Sequence, residues 1–247
     1  MTDCLVVIPA RLGSTRFPAK VLATLRGVPV VEWCRRAAAA AKVGPVVVAT
    51  DHPKVVHAVE YYGGEAVLTP PSCASGTDRV WAVAKARKPR FVINLQGDEP
   101  LIKAATIRKV AELLRGCPEA DIATAVVPFS DAKRLADPNV VKAAVGDNGR
   151  CLYFSRAPIP YPRDPAAANG AETPLQHIGI YGFRYKTLQR FITLKPSGLE
   201  RLECLEQLRA LEAGMTIYAV KVGDRTVAID TPGDMARAER TLRKSDA

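Results

Sequence analysis

The segment PARLGSTRFPAK, from Pro9 to Lys20, concentrates side chains that could bind phosphate. Two prolines and Gly13 interrupt it too often for a helix, so it is a loop whose backbone can approach a ligand closely. Its cations and hydroxyls can surround a triphosphate with charge-assisted hydrogen bonds. They belong to Arg11, Ser14, Thr15, Arg16 and Lys20. The alternative is a solvated connection, because runs of charge usually face water.

Two aspartates elsewhere in the chain could supply the acidic half of the same site. Asp98 lies in the motif QGDEP and Asp230 ends the motif TVAID, and each follows an apolar run. Mg²⁺ is commonly held by one or two carboxylates together with phosphate oxygens. Helix capping is the alternative for both aspartates, but Thr231 and Asp234 already serve that purpose beside Asp230. Two carboxylates facing a cationic loop predict a site for a metal and a nucleotide.

Several classes of function are disfavoured by missing features. The chain has neither the G-x-G-x-x-G fingerprint nor G-x-x-x-x-G-K-[ST] after its first apolar run, which argues against a P-loop protein and an NAD(P)-dependent oxidoreductase. The formal net charge of +10 indicates an anionic partner. The basic residues are spread along the chain and only 6% of residues are aromatic, which disfavours a nucleic-acid platform.

Four apolar runs in the first half are rich in small and branched aliphatic residues and predict strands covered on both faces. They are CLVVI (Cys4–Ile8), VVVAT (Val46–Thr50), EAVLT (Glu65–Thr69) and FVINL (Phe91–Leu95). Stripes at helical spacing alternate with them, which predicts an α/β fold with a doubly wound, mostly parallel sheet. Such sheets bind ligands outside the carboxyl ends of the strands, where strand order reverses. The cationic loop and QGDEP both follow predicted strands and therefore fall at this edge.

The second half mixes alternating and glycine-interrupted runs, which predicts some antiparallel strands. These runs are Asp121–Val127, Val140–Val145, Arg150–Phe154 and His177–Phe183. We expect a single domain over residues 1–247, with an inserted mixed subregion at about 128–185 that forms a smaller lid or dimerisation layer. One helix is predicted from Ser197, which forms a capping box with Glu200, to Gly214. Strand-like runs at Thr216–Val222 and Thr226–Asp230 precede a last helix that begins at Thr231 and Pro232.

The compartment is predicted from features of the whole chain. No apolar run reaches the roughly 18 to 20 residues of a membrane span, and the N-terminal residues lack the features of a signal peptide. The six cysteines are scattered without a C-x-x-C pair, which disfavours a zinc site and a disulfide framework. We therefore expect a soluble, cytoplasmic protein.

Motifs along essentially the whole chain resemble those of the 3-deoxy-manno-octulosonate cytidylyltransferases, the CMP-Kdo synthetases of Gram-negative lipopolysaccharide biosynthesis. Motifs of the first half are PARLGSTRFPAK, ATDH (Ala49–His52), SGTDR (Ser75–Arg79) and NLQGDEPLI (Asn94–Ile102). Those of the second half are PNVVK (Pro138–Lys142), LYFSRAPIP (Leu152–Pro160), QHIGIYGF (Gln176–Phe183), LERLECLEQLRALEAG (Leu199–Gly214) and AIDTPGD (Ala228–Asp234). The first motif alone is similar to the wider family of nucleotidyltransferases for acidic sugars. QHIGIYGF and the LEQLR part of the helix motif narrow the resemblance to Kdo.

The resemblance implies a role for each motif residue within a Rossmann-like nucleotidyltransferase fold. Contacts to the triphosphate of CTP are implied for Arg11, Ser14, Arg16 and Lys20, of which Arg11, Arg16 and Lys20 would be catalytic together with Asp98. The cytosine and ribose would be framed by Pro9, Ala10, Ser75, Thr77 and Arg79. Mg²⁺ would be the cofactor, bound by Asp98 and Asp230. The sugar pocket would be lined by Gln96, Arg156, His177, Tyr181, Glu206 and Gln207.

The implied reaction is the transfer of CMP from CTP to the anomeric hydroxyl of Kdo, with release of pyrophosphate and no assigned general base. The implied partners are these two small molecules and a second copy of the chain in a homodimer, with no nucleic acid and no membrane. Two alternatives stay open. One is a cytidylyltransferase for a related acidic sugar, such as an 8-amino Kdo analogue or a sialic acid. The other is a non-catalytic nucleotide-binding or nucleic-acid-binding protein. The two aspartates argue against it, because they would repel phosphate unless a metal ion lies between them.

Some residues also have an ordinary structural interpretation. Tyr181 alternates with isoleucines and could be a core residue, while Glu206 and Gln207 on a leucine-striped helix could simply face solvent. Ala19 stands where many relatives have glycine, and we expect ordinary backbone dihedrals there. The loop Pro162–Thr173 receives no assignment.

Overall fold

A twisted sheet with helices on both faces carries the site. The computed structural model describes residues 3–13, 17–129, 132–164, 174–223 and 226–245. In these ranges the strands are β1 (Cys4–Pro9), β2 (Thr24–Leu25), β3 (Val28–Pro29), β4 (Val46–Thr50), β5 (Glu65–Leu68), β6 (Phe91–Leu95), β7 (Ile122–Pro128), β8 (Lys142–Val145), β9 (Cys151–Ser155), β10 (Leu175–Arg184) and β11 (Ile217–Lys221). The helices are α1 (Val30–Ala41), α2 (Pro53–Tyr61), α3 (Gly76–Arg87), α4 (Ala104–Gly116), α5 (Ala132–Ala136), α6 (Tyr185–Phe191), α7 (Gly198–Glu203), α8 (Gln207–Glu212) and α9 (Pro232–Ser245).

The main sheet has the strand order β11-β7-β10-β6-β1-β4-β5. Strands β4 and β6 flank β1 in parallel, and β5 continues in parallel beyond β4. Strand β10 runs antiparallel between β6 and β7, and β11 is parallel to β7. The predicted doubly wound, mostly parallel sheet is therefore confirmed. Strand order reverses at β1, so the loops after β1 and β6 lie at the switch point where such sheets bind ligands.

Alternate residues of β1 show how the sheet separates two helical layers. Val6 and Ile8 pack in a core with α1, α2 and α4, whereas Leu5 and Val7 pack in a second core with α3, α6 and α8. All four side chains are almost completely buried. Continuous apolar runs are what a strand covered on both faces requires, which is why β1, β4 and β6 were readable from the sequence. The edge strand β5 was also predicted as covered on both faces, but its residues are only half-buried or exposed.

The second half differs from its sequence interpretation in the position of β10. The glycine-interrupted run was expected in a smaller layer, but β10 lies inside the main sheet, next to β6. Gly182 allows this, since a Cβ there would lie 3.2 Å from both Ile93 and Leu114. The smaller antiparallel part consists of β8 and β9, where β8 pairs with the beginning of β10. The dimerisation role of this region stays a prediction.

Two predicted elements are wrong. The helix expected from Ser197 to Gly214 breaks into α7 and α8 at Cys204, which has a φ of 51°. This break turns Leu205 into the core and leaves Leu202 83% exposed. The strand expected at Thr226–Asp230 is an irregular segment without ladder pairing, and the Ile229 N–H donates to the Asp98 carbonyl at 2.9 Å. The capping box of Ser197 with Glu200 is confirmed.

In the part of the chain that the structure describes, no helix combines the length and the apolar character that crossing a membrane would need.

Candidate active site

Two adjoining cavities open beside the carboxyl ends of β1 and β6. The larger cavity has a volume of about 860 Å³ and is lined by Pro9 at the end of β1 and by the QGDEP turn after β6. The smaller cavity has a volume of about 530 Å³ and lies next to it. Gln96, Glu206 and Asp230 line both cavities. A ligand in one cavity would therefore meet a ligand in the other across these three residues.

Lys20 joins the two aspartates that the sequence singled out. Its Nζ lies 2.6 Å from Asp98 Oδ2 and 2.8 Å from Asp230 Oδ1. Burial by itself lowers the pKa of Lys20, but the two carboxylates outweigh this effect and the pKa lies above its ordinary value. All three side chains line the larger cavity. The cationic loop, QGDEP and TVAID thus converge on one charged cluster at its wall.

A second ion pair fixes Arg79 in the wall of the larger cavity. Its guanidinium donates to Asp51 Oδ2 at 3.2 Å and to the Thr69 hydroxyl, and the residue is 3% exposed. Asp51 Oδ1 accepts a hydrogen bond from the Leu12 N–H at 3.1 Å. Asp51 therefore connects the cationic loop after β1 to Arg79, and it is one of the site residues that sequence reasoning missed. Its position in the ATDH motif, directly after β4, was the available signal.

The α3 N-terminus faces the same cavity. Ser75 caps α3, since its side chain accepts from the Asp78 N–H at 3.2 Å and Asp78 Oδ2 accepts from the Ser75 N–H at 2.9 Å. The far wall contains Arg209, whose guanidinium is paired with the Glu200 carboxylate. This pair was also missed, because a regular leucine stripe predicted only a packed helix.

Close packing of the two strand-end loops requires Gly97. A Cβ on Gly97 would lie 2.8 Å from the Pro9 carbonyl oxygen, closer than side-chain carbons approach backbone atoms. Glycine thus permits the QGDEP turn to lie against the end of β1, which brings Asp98 near Lys20.

The smaller cavity contains buried polar atoms without hydrogen-bond partners in the described residues. They are Glu99 Oε2, Glu206 Oε1 and Gln207 Nε2. Buried polar atoms are nearly always paired, so a set of them around one cavity indicates a bound polar molecule or ordered water. Burial, and secondarily the Asp98 charge, raises the pKa of Glu99 to about 7. Glu99 was missed by the sequence interpretation, although it lies in QGDEP.

The rest of the smaller cavity is ordered by side-chain contacts. Thr77 donates its hydroxyl hydrogen to Glu206 Oε2 at 2.6 Å. The Thr124 hydroxyl donates to the Ile180 carbonyl at 2.7 Å, so it must accept from His177 Nε2, 2.9 Å away. His177 is then the Nε2–H tautomer, and burial lowers its pKa to about 3.

Tyr181 fits both of its sequence interpretations. Its ring packs on the core and lies 5.2 Å from the His177 ring, and the residue also lines the smaller cavity. Burial raises the pKa of its phenol, which therefore stays protonated near neutral pH.

Most of the predicted site residues line the two cavities. The larger cavity is lined by Pro9, Arg11, Lys20, Ser75, Arg79 and Asp98, and the smaller by His177, Tyr181 and Gln207. The residues shared by both are Gln96, Glu206 and Asp230. Ala10 and Thr77 are buried behind the cavity walls. Ser14 and Arg16 lie outside the described residues.

One predicted site residue does not line the cavities, and one prediction about the backbone is wrong. Arg156 is not among the described residues that line either cavity. Its guanidinium instead donates to the carbonyls of Pro138, Glu203 and Cys204, and its sugar-binding role stays a prediction. Ala19 has φ 54° and ψ 26°, so the expectation of ordinary dihedrals there is wrong.

Known proteins are similar to this chain over nearly its full length. A family model described as cytidylyltransferase matches residues 5–217. A 3-deoxy-manno-octulosonate cytidylyltransferase of Elusimicrobium minutum is 45% identical over 245 residues, which is 99% of this chain and 100% of the relative. A protein of the same name from Rhodopirellula baltica is 46% identical over 237 residues, 94% of this chain and 95% of the relative.

A solved structure agrees with these relatives. It is that of a CMP:2-keto-3-deoxy-manno-octonic acid synthetase complexed with CTP. The two chains are 38% identical, the match covers 98% of this chain and 99% of the other, and the TM-score is 0.90. The chain therefore belongs to the cytidylyltransferase family and, within it, to the 3-deoxy-manno-octulosonate cytidylyltransferases.

Proposed function

We propose that this enzyme transfers CMP from CTP to the anomeric hydroxyl of Kdo, giving CMP-Kdo and pyrophosphate. The observation that carries the proposal is the charged cluster of Lys20, Asp98 and Asp230 in the larger cavity, whose Asp230 also lines the smaller cavity. A reaction between two bound molecules needs its charged groups at such a junction. The names of the relatives, and the CTP in the solved homologue, supply the identity of the substrates.

The larger cavity suits CTP. Arg11, Lys20 and Arg79 are among the cations that line it, and the N-terminus of α3 adds the positive end of a helix dipole. The QGDEP turn and Pro9 present backbone at the carboxyl edge of the sheet, where nucleotides bind in such folds. We assign the triphosphate to the Lys20 side of this cavity.

The smaller cavity suits a polyhydroxylated acid. Glu99 and Glu206 offer acceptor oxygens without internal partners, and Gln207 offers a donor. Sugar hydroxyls can satisfy both kinds of group. A site built on such atoms discriminates strongly against analogues that lack the matching hydroxyl, because the buried group is then left unpaired.

Asp98 and Asp230 fit a hard cation. Their oxygens lie within 2.6 and 2.8 Å of one point, which the Lys20 ammonium occupies, and carboxylate oxygens are the ligands that Mg²⁺ prefers. We propose that these two residues hold Mg²⁺ together with phosphate oxygens of CTP. A bound Mg²⁺ neutralises phosphate charge and lowers the pKa of a coordinated hydroxyl.

The chain's own residues would act mainly by alignment. The anomeric oxygen of Kdo forms a bond to the α-phosphorus as the bond to the bridging oxygen breaks, and pyrophosphate leaves with both electrons of that bond. The hydroxyl proton passes to solvent, since we assign no general base. Residues common to both cavities would hold the two substrates in line, and Arg11 would stabilise charge on the leaving phosphates.

A substrate matrix tests the proposal. Pyrophosphate release is measured with each of the four ribonucleoside triphosphates against Kdo, its 8-amino analogue and a sialic acid, with and without Mg²⁺. We expect turnover with CTP and Kdo that depends on Mg²⁺. Preference for one of the other sugars would replace Kdo with that acceptor, and no release with any pair would overturn enzymatic function in favour of nucleotide binding alone.

The family and the acceptor sugar also motivate proposals about the cellular role. We propose that the enzyme works in the cytoplasm, as a homodimer, in lipopolysaccharide biosynthesis. Light scattering of the purified chain checks the dimer, with a monomer as the contrary result.

A further inference from the structure

We propose that Lys20 is a positioning residue that keeps Asp98 and Asp230 together in the nucleotide-free enzyme and releases them to a divalent cation only when a triphosphate binds. Metal binding would thereby depend on the nucleotide. The inference rests on the proposed function for the identity of the cation and the triphosphate. It concerns a step before chemistry, which can be measured without turnover.

The contacts of Lys20 make it a competitor for the cation. Its ammonium bonds to one oxygen of each carboxylate, and its side chain is only 14% exposed. Asp98 and Asp230 come from segments 132 residues apart in the sequence, and the Ile229 N–H bonded to the Asp98 carbonyl keeps their backbones adjacent. Two carboxylates held this close repel each other unless a cation lies between them. The ammonium and a divalent ion cannot occupy that position together.

The backbone of Lys20 is anchored, so an exchange needs only side-chain movement. The Lys20 N–H donates to the Phe17 carbonyl at 3.2 Å, and its own carbonyl accepts from the Ala23 N–H at 3.1 Å. Lysine carries a flexible four-carbon stem, which can move its charge by several ångströms around a fixed backbone. The larger cavity provides the space for that movement.

A bound triphosphate supplies the oxygen atoms that both the Lys20 ammonium and the divalent cation need for the exchange. Phosphate oxygens can accept the released ammonium, which would otherwise lose two charge-assisted hydrogen bonds. The cation also needs them, because no group of three or more His, Cys, Asp or Glu side chains in the described ranges could hold a metal alone. Without nucleotide, the Lys20 ammonium stays bound to the two carboxylates. With nucleotide, the phosphate and carboxylate oxygens together can bind both the ammonium and the divalent cation.

Direct measurement of Mn²⁺ binding tests this exchange. Mn²⁺ is titrated, by its electron paramagnetic resonance signal, into nucleotide-free wild type, Lys20→Met, Lys20→Arg and the double variant Lys20→Met with Asp98→Asn. We expect the Lys20→Met variant to bind Mn²⁺ about tenfold more tightly than wild type, because the ammonium that bridges the two carboxylates is gone. Lys20→Arg should bind as weakly as wild type, and the double variant should lose the gain.

Two further measurements distinguish the proposed exchange at Lys20 from a general effect of removing a positive charge. Lys109→Met removes an exposed lysine from α4 and should leave Mn²⁺ affinity unchanged. Mg²⁺ should raise the melting temperature of nucleotide-free Lys20→Met more than that of wild type, provided circular dichroism shows both folded. Equal Mn²⁺ affinity of folded Lys20→Met and wild type would overturn the proposal. Wild-type turnover in the substrate matrix would show that the proposed function survives such a result.

Discussion

The two cavities differ in whether their buried polar groups have partners within the protein. Several charged groups at the larger cavity are paired with one another: Lys20 with its two aspartates and Arg79 with Asp51. At the smaller cavity, Glu99, Gln207 and Glu206, the last of which also borders the larger cavity, each keep a polar atom without a partner in the described residues.

The difference suggests two modes of binding. A ligand of the larger cavity must exchange existing partners, whereas a ligand of the smaller cavity completes a set of bonds that the free protein lacks. Mutations should therefore separate stability from binding differently in the two places. Removing one member of a pair should harm both stability and nucleotide binding, even where it frees carboxylates for a metal. Replacing an unpartnered group should harm only binding and should stabilise the free protein.

The largest effect is expected for Asp98→Asn in the paired cavity. The change removes one carboxylate of the proposed metal site and should reduce turnover about a thousandfold. The fold should persist, because Asn can still accept a hydrogen bond from Lys20. Pyrophosphate release at saturating substrates measures it, with the exposed Asp147→Asn as the control that should keep full activity. A near-normal rate would show that Asp98 does not act in the reaction.

Arg79→Met should weaken both stability and nucleotide binding. Removing the guanidinium leaves Asp51 without its ion pair and Thr69 without its donor, which should cost about 2 kcal/mol of unfolding free energy. The KM for CTP should rise about tenfold and the KM for Kdo should not, because Asp51 also holds the cationic loop at Leu12. Urea unfolding and steady-state kinetics measure the two effects. An equal rise in both KM values would mean a general distortion instead.

His177 is a paired residue of the smaller cavity, and its burial predicts a pH effect on stability. Its pKa is about 3 in the folded protein and near 6.5 in the unfolded chain, which therefore binds more protons between these values. The unfolding free energy should then fall as pH drops below about 6.5, by up to about 1.4 kcal/mol per pH unit from this group.

A matched pair of variants isolates that contribution. Urea unfolding is measured at pH 7, 6 and 5 for wild type, His177→Gln and His57→Gln, the last of which changes an exposed residue of α2. The slope of stability with pH should flatten in His177→Gln alone. A slope that stays the same would place the acid sensitivity in other groups.

Gln207→Met tests the unpartnered cavity. The two side chains are similar in size, and the substitution removes a buried Nε2 that lacks a partner. We expect the unfolding free energy to rise by about 1 kcal/mol while the KM for Kdo rises about tenfold. The KM for CTP should stay within about twofold of wild type. A loss of stability would mean that the amide is satisfied inside the free protein and that the comparison between the cavities fails.

The sequence could predict the sheet better than the site because strands are local patterns and pairings are not. Val46–Thr50 and Phe91–Leu95 are strands with the predicted bounds, since burial on both faces demands a continuous apolar run. The segment Thr226–Asp230 has the same apolar character, but Val227 and Ile229 are buried against Leu25 in a third core with α9. Burial alone does not say whether a segment pairs in a sheet.

For the site, the sequence could predict which residues take part but not which of them contact each other. The sequence suggested a cationic loop facing two aspartates, yet nothing in it indicated that Lys20 would contact both. The break between α7 and α8 also depends on tertiary contacts. It places Glu206 beside Thr77 and not on a continuous helix. Such contacts depend on where distant segments cross, which periodicity does not encode.

The smallest expected effect concerns Ala19, next to the charged cluster. Its carbonyl accepts from the Leu22 N–H at 2.9 Å, which begins the short 3₁₀ turn Lys20–Leu22 and holds the residue at φ 54°. Alanine in this left-handed region costs roughly 1 to 2 kcal/mol, and glycine avoids that cost but loses roughly 0.5 to 1 kcal/mol of chain entropy. Ala19→Gly should therefore raise the unfolding free energy by about 0.5 kcal/mol. The KM for CTP should stay within about twofold, since the Lys20 backbone remains in place.

Ala23→Gly is the matched control for that change. Ala23 follows the same turn with an ordinary φ of −58°, so glycine there relieves nothing and should lower the unfolding free energy by roughly 0.5 to 1 kcal/mol. Urea unfolding of the two variants gives effects of opposite sign if Ala19 is left-handed. Equal destabilisation would mean that residue 19 has ordinary dihedrals. The backbone hydrogen bonds that are proposed to hold Lys20 in place would then have to differ as well.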